Sequence, residues 1–221
     1  EELAERLPVV AVVSGRDVEA AWRIVGIDGL LYFGNHGLER WERGYISVLP
    51  EVEDYLGRLQ VTLRILRERL GPLNLVVEDK GVGISIHYRM VSDHSGARST
   101  VLAVLDEIGV NRWLNVTDGK MLIDLRLPLG VNKGTAIHTT VKKFGLHGAI
   151  LLGDDVTDVD AFRAARRLSE EQDFVSINVG VLGEEAPEAV RQEVSYSLAG
   201  VAAAEDFLSW LSREVRSHVS S

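Results

Sequence analysis

Three carboxylates crowd one short stretch of this chain: Asp154, Asp155 and Asp158, in the run Leu151-Leu152-Gly153-Asp154-Asp155-Val156-Thr157-Asp158. The apolar residues Ala149 to Leu152 lead in and a helix-patterned segment, 159–168, leads out, so the run reads as strand, tight turn and helix start. Carboxylates this close repel one another unless a cation, a helix N-terminus or hydrogen bonds compensate. Two readings follow. Asp and Thr are ordinary helix caps; alternatively, an all-oxygen donor set with no Cys or His beside it suits a hard cation, Mg²⁺ before Zn²⁺. Two further polar groups hold comparable places. Ser14, with the Gly15 amide, ends an apolar run, and Lys133 opens a helix pattern after Gly130-Val131-Asn132. Taken singly, Ser14 reads as a cap beside Asp17 and Lys133 as a solvated helix-terminal lysine. Taken together at one sheet edge they suit a phosphoryl group: hydroxyl and N–H groups donate to its oxygens, and an ammonium and a carboxylate-held Mg²⁺ neutralise its charge.

The elements that position these groups follow from the pattern around them. Pro8 to Val13 is an unbroken apolar run, as expected of a parallel strand buried on both faces. Asp17 is the expected cap of a helix over 18–25 closed by Gly26, and Leu30 to Phe33 is a second strand ending in Gly34-Asn35-His36-Gly37. From about Arg40 the texture changes. Residues 51–70 pattern as one amphipathic helix with Val52, Leu56, Leu59, Leu63, Leu66 and Leu70 on one stripe. Ile84, Ile86 and Tyr88 then alternate with Ser85, His87 and Arg89, which puts His87 and Arg89 on one face of a half-buried strand. Thr117-Asp118-Gly119 reads as a hairpin turn. After Pro128 the parallel texture returns, to a closing helix over 202–215. The expected architecture is α/β: a Rossmann-like parallel-sheet core, residues 1–38 and 128–221, with an inserted α+β cap, residues 39–127.

Composition excludes several classes. With 221 residues, 46% hydrophobic and 26% charged, the chain is of ordinary globular type. A net charge of −9 argues against nucleic acid or an anionic membrane as partner, without excluding a small anionic substrate. The absence of Cys removes disulfides, thiolate nucleophiles and Cys-bound metals. No run approaches the roughly 20 apolar residues of a membrane span. With no secretory signal visible, the cytoplasm is the expected location.

The strings V-V-S-G-R (12–16), G-N-H-G-L-E (34–39), V-E-D-K-G (77–81), H-Y-R (87–89), G-V-N-K-G-T-A (130–136) and G-D-D-V-T-D (153–158) resemble, in order, those of the trehalose-6-phosphate phosphatases, a family of the haloacid-dehalogenase-like superfamily. The resemblance implies Mg²⁺-dependent hydrolysis of trehalose 6-phosphate through an aspartyl-phosphate. It implies that Ser14 hydrogen-bonds the transferring phosphoryl group, Lys133 neutralises it, and Asp154 and Asp155 bind metal, with Asp158 assisting. Glu78, Lys80, His87, Arg89 and Asp124 would bind the sugar, with Arg16, Asn35 and His36 beside them. Asp124 begins a D-L-R-L-P string where the family has E-I-R-P. Related readings are a phosphatase for sucrose phosphate or a glycosyl-phosphoglycerate, and a catalytically silent regulatory domain. The resemblance also allows association with a trehalose-6-phosphate synthase. The family's D-x-D-G-T nucleophile motif has no counterpart here, where Asp158-Val159-Asp160 is the sole D-x-D. Because Glu1 to Leu7 reads as a helix without its beginning, the nucleophile is expected upstream. A chain lacking that strand would expose apolar sheet and is expected to be unstable or to aggregate alone.

Overall fold

The computed structural model describes residues 1–183 and 186–219. Glu1–Ser47 with Val131–Ser221 forms one unit and Val48–Gly130 a second. The first unit opens with α1 (Glu2–Arg6), β1 (Ala11–Val13), α2 (Val18–Val25), β2 (Leu31–Gly34), β3 (Glu39–Glu42) and β4 (Tyr45–Val48). Asp17 caps α2 by accepting the Ala20 N–H at 2.7 Å, as its residue type predicts, and Gly26 closes the helix at φ 64°. β1 and β2 are parallel, in register Ala11 to Leu31, and β3 returns antiparallel on β2.

In the second unit, α3 (Pro50–Leu70), β5 (Val76–Asp79), β6 (Gly83–His87), α4 (His94–Glu107), β7 (Asn115–Gly119) and β8 (Leu122–Arg126) form an antiparallel sheet of order β5-β6-β8-β7 with two helices. Val77, Ile84, Ile86, Ile123 and Leu125 are buried on one face of this sheet; α3 contributes Leu59, Leu63, Leu66 and Leu70 to the unit's core and α4 contributes Val101 and Leu105. Each fully buried aliphatic side chain of this kind is worth about 1.5–3 kcal/mol. The alternation of strand residues leaves Glu78, Ser85, His87, Asp124 and Thr117 together on the other face.

The first unit resumes with α5 (Lys133–Phe144), β9 (Gly148–Gly153), α6 (Asp158–Glu171), β10 (Val175–Val181), α7 (Glu188–Arg191), β11 (Tyr196–Leu198) and α8 (Gly200–Val219). β9, β10 and β11 are parallel, in the order β11-β10-β9. Among the described residues the core therefore carries two sheets rather than the one expected, and α5 joins them. Its Ala136 packs with Leu31 and Phe33 of β2, while Ile137 and Val141 pack with Ala149 of β9. Among the described residues no helix is long and apolar enough to cross a membrane.

Three details differ from the sequence reading. The first unit runs to Ser47 rather than residue 38, because β3 and β4 extend the β1–β2 sheet. The hairpin turn falls at Lys120 and Met121, not at 117–119; Gly119 pairs with Leu122, and Met121 takes the left-handed backbone at φ 61°. β6 stops at His87, so Arg89 lies on the exposed turn beyond it and the strand alternation does not reach it.

Candidate active site

The acidic turn is built around Asp158. This first residue of α6 is 9% exposed, and its Oδ2 accepts the backbone N–H groups of Asp154 and Asp155, each at 3.0 Å. Its Oδ1 takes the Lys133 ammonium at 2.6 Å. Gly153 makes this possible: a Cβ there would lie 2.6 Å from Asp158 Cβ and Cγ. Thr157, the N-cap residue of α6, makes no side-chain cap bond. Asp155 instead shapes the turn, its Oδ1 accepting the Val156 N–H at 2.6 Å and its Oδ2 the Thr157 hydroxyl at 3.3 Å. Asp154 presents an exposed carboxylate.

Lys133 is not a solvated lysine. It is 8% exposed at the first position of α5, fixed there by the capping box of Asn132 and Thr135. A buried ammonium without a carboxylate would carry a heavy desolvation cost, and Asp158 compensates it.

Ser14 follows β1. Its N–H donates to the Phe33 carbonyl at 2.9 Å, and its Oγ accepts the Arg16 N–H at 3.1 Å. The hydroxyl proton is then left to serve as a donor. The next loop is tied to this one, with Asn35 N–H donating to Arg16 O at 2.7 Å and His36 N–H to Ser14 O at 2.9 Å. The His36 ring lies over Gly15, and Gly37 lies against Asn132 and Ala136 at the start of α5. Ser14, Arg16, Asn35 and His36 thus form one cluster after the carboxyl ends of β1 and β2, and that cluster abuts the helix that begins with Lys133. Lys133, Asp154, Asp155 and Asp158 form another after β9. Open α/β sheets hold their ligands at such strand ends.

In the second unit, Asp124 accepts from Ser85 and Arg126 (3.2 Å to the latter) and lies 3.8 Å from the Lys80 ammonium, while His87 Nε2 meets Glu78 Oε2 at 2.7 Å. Four of the five sequence-predicted sugar-binding residues thus share two polar contact groups on or beside one sheet face; Arg89 is not among them. Sequence reasoning missed Ser85, which is fully buried on that face, although its place between Ile84 and Ile86 marks it as polar-facing. Burial acts to raise the Asp124 carboxyl, but the Ser85 hydroxyl, Lys80 and Arg126 outweigh it, and the net pKa falls below the ordinary value. A depressed folded-state pKa contributes stability above the unfolded value of about 3.9 and loses it as the pH falls through the folded value. Asp124→Asn is therefore expected to melt below the parent chain at pH 7 by about 2–4 °C, the equivalent of roughly 1 kcal/mol. Scanning calorimetry should show that gap closing below about pH 4, and a gap widening toward acid would contradict this account.

Among the described residues no group of three or more His, Asp or Glu forms a ready metal cage. The oxygen donors of Asp154 and Asp155 nonetheless fit Mg²⁺, which needs only one or two carboxylates and fills its remaining positions with waters and phosphate oxygens.

The family model described as trehalose-phosphatase matches residues 1–193. A trehalose-phosphate phosphatase of Mycolicibacterium paratuberculosis is 35% identical over 179 residues, covering 74% of this chain and 43% of that protein. The chain spans less than half the length of the curated relatives it matches. Among solved structures, a trehalose-6-phosphate phosphatase related protein superposes with a TM-score of 0.73 at 24% identity, covering 96% of this chain and 83% of that one. The trehalose-6-phosphate phosphatase of Aspergillus fumigatus superposes with a TM-score of 0.59, also at 24% identity, covering 96% and 81%. These likenesses show that the chain shares the mixed α/β fold with parallel sheets of those two structures.

Proposed function

From a chain that belongs to the trehalose-phosphatase family, we propose a Mg²⁺-dependent hydrolysis of trehalose 6-phosphate to trehalose and phosphate, acting in the cytoplasm. The observation that carries this reading is the buried Lys133, held by Asp158 at 2.6 Å beside the exposed carboxylate of Asp154. Such a pair fixes a positive charge where a phosphoryl group accumulates negative charge, without reorganisation during the reaction. The Ser14 hydroxyl donates to a phosphoryl oxygen, and the N–H groups of its turn orient it. Asp154, with Asp155, would hold Mg²⁺, which when bound neutralises further phosphate charge. Arg16, Asn35 and His36 bind the substrate in the first unit, and Glu78, Lys80, His87 and Asp124 form a sugar-binding face in the second.

The nucleophile is an Asp outside residues 1–221, since no D-x-D-G-T occurs within them. It takes the phosphoryl group as an aspartyl-phosphate that water then hydrolyses. β1 and β9 each end their sheet with an apolar, part-exposed parallel edge, which suits a further strand carrying that Asp. A second reading is a silent regulatory domain that binds the sugar phosphate in association with a trehalose-6-phosphate synthase. The test is phosphate release by the full-length protein from trehalose 6-phosphate, sucrose phosphate and glucose 6-phosphate, with Mg²⁺ and with EDTA. Release from trehalose 6-phosphate alone, abolished by EDTA, is expected. Comparable release from the other two would refute the substrate assignment, and binding without release would select the regulatory reading.

A further inference from the structure

Glu39 is a buried carboxylate to which neither the chemistry nor the sugar face assigns a task. It opens β3 and is 8% exposed. Its Oε2 accepts the N–H of Val18, the first residue of α2, at 2.9 Å, and the Asn35 side chain donates to the same carboxylate. Asp17 caps α2 through the Ala20 N–H, and Glu39 takes the remaining N–H of Val18 from a different strand, so its bond ties β3 to the start of α2. A buried carboxylate also carries a desolvation cost that a neutral acceptor would reduce. Burial indeed pushes its carboxyl above the usual range against the pull of Val18 and Asn35, with Asp17 and Glu19 adding repulsion.

What the carboxylate touches gives it a purpose. Val18 ends the Ser14–Asp17 turn and Asn35 starts the next one, where Asn35 (φ 47°) and His36 (φ 61°) both sit in the left-handed region. Non-glycine residues persist there only where their surroundings over-determine the conformation. The two turns also press close together, since a Cβ on Gly34 would lie 2.3 Å from the Val18 nitrogen and 2.7 Å from Glu39 Oε2. We propose that Glu39 is a positioning residue that clamps the Asn35–His36 turn to the Ser14–Asp17 turn, fixing how Arg16 and His36 meet the sugar-phosphate substrate. This rests on the assignment of Arg16, Asn35 and His36 as substrate-binding residues.

The test measures calorimetric dissociation constants of the full-length protein for two probes, trehalose 6-sulfate as a non-hydrolysed substrate analogue and inorganic phosphate. Glu39→Ala, and Glu39→Asp, which keeps the charge but shortens its reach, should weaken trehalose 6-sulfate binding about 10-fold or more and leave phosphate binding within about 2-fold. Glu39→Gln should restore the parent affinity, because its amide oxygen can accept from Val18 while its NH₂ donates to the Asn35 side-chain oxygen once that amide turns over. His36→Ala serves as the control. If His36→Ala weakens trehalose 6-sulfate binding while Glu39→Ala and Glu39→Asp do not, the clamp is refuted alone. If His36→Ala has no effect, or the parent protein does not bind the probe, the substrate assignment fails and the proposal with it. Equal weakening for both probes without rescue by Glu39→Gln would mean a merely structural carboxylate and would also overturn the proposal; should Glu39→Ala not fold, Glu39→Asp decides.

Discussion

Replacing Asp158 with alanine should lower the unfolding free energy by about 3–5 kcal/mol, the usual loss when one partner of a buried ion pair is removed. Lys133 would be left 8% exposed with an uncompensated charge, and the Asp154 and Asp155 amides would lose their acceptor. The measurement is the urea midpoint at pH 7. The double variant Lys133→Met/Asp158→Ala should recover part of the loss, because no unpaired charge remains. An Asp158→Ala unfolding free energy within about 0.5 kcal/mol of the parent would show that the pair does not hold the turn.

Lys133→Met carries the largest expected effect on turnover. In the full-length protein, release of phosphate from trehalose 6-phosphate should fall by about 10²–10³-fold in kcat, the range for removing one preorganised charge-stabilising donor. KM should change little by comparison, because the contribution is strongest where charge develops in the transition state. Its stability should fall less than that of Asp158→Ala, since the Asp158 carboxylate keeps two backbone N–H donors. Parent-like kcat in Lys133→Met would remove Lys133 from the phosphoryl-transfer machinery.

Much of this site is written in local pattern. The apolar runs before Ser14 and Asp154, the Asn132–Thr135 start before α5 and the 51–70 stripe all carry their own signals, and each element formed where its signal lies. What local pattern could not convey are meetings across sequence. Nothing near Asp158 announces that both of its oxygens are engaged, one of them by a lysine 25 positions earlier. Glu39 reads as an ordinary strand residue until Val18, 21 positions away, is seen donating to it. The displaced hairpin has a different cause: Gly119 looks like turn chemistry, yet cross-strand pairing with Leu122 holds it in the ladder and pushes the left-handed backbone onto Met121. Arg89 was misplaced because alternation describes a strand only while the strand lasts.

The bridging role of α5 has a consequence for the order in which the molecule assembles. Leu31 and Phe33 are made before Val48–Gly130, but their partner Ala136 follows only after the whole of that unit. Contacts separated by roughly a hundred residues are slow to close, whereas the hairpins and helices of that intervening unit are near neighbours in sequence. The inserted unit can therefore be finished on the ribosome before the two core sheets are joined. Lys133 and Asp158, which depend on that joining helix, would reach their places only after the inserted unit, so ability to bind the phosphoryl group would report the joining of the two core sheets.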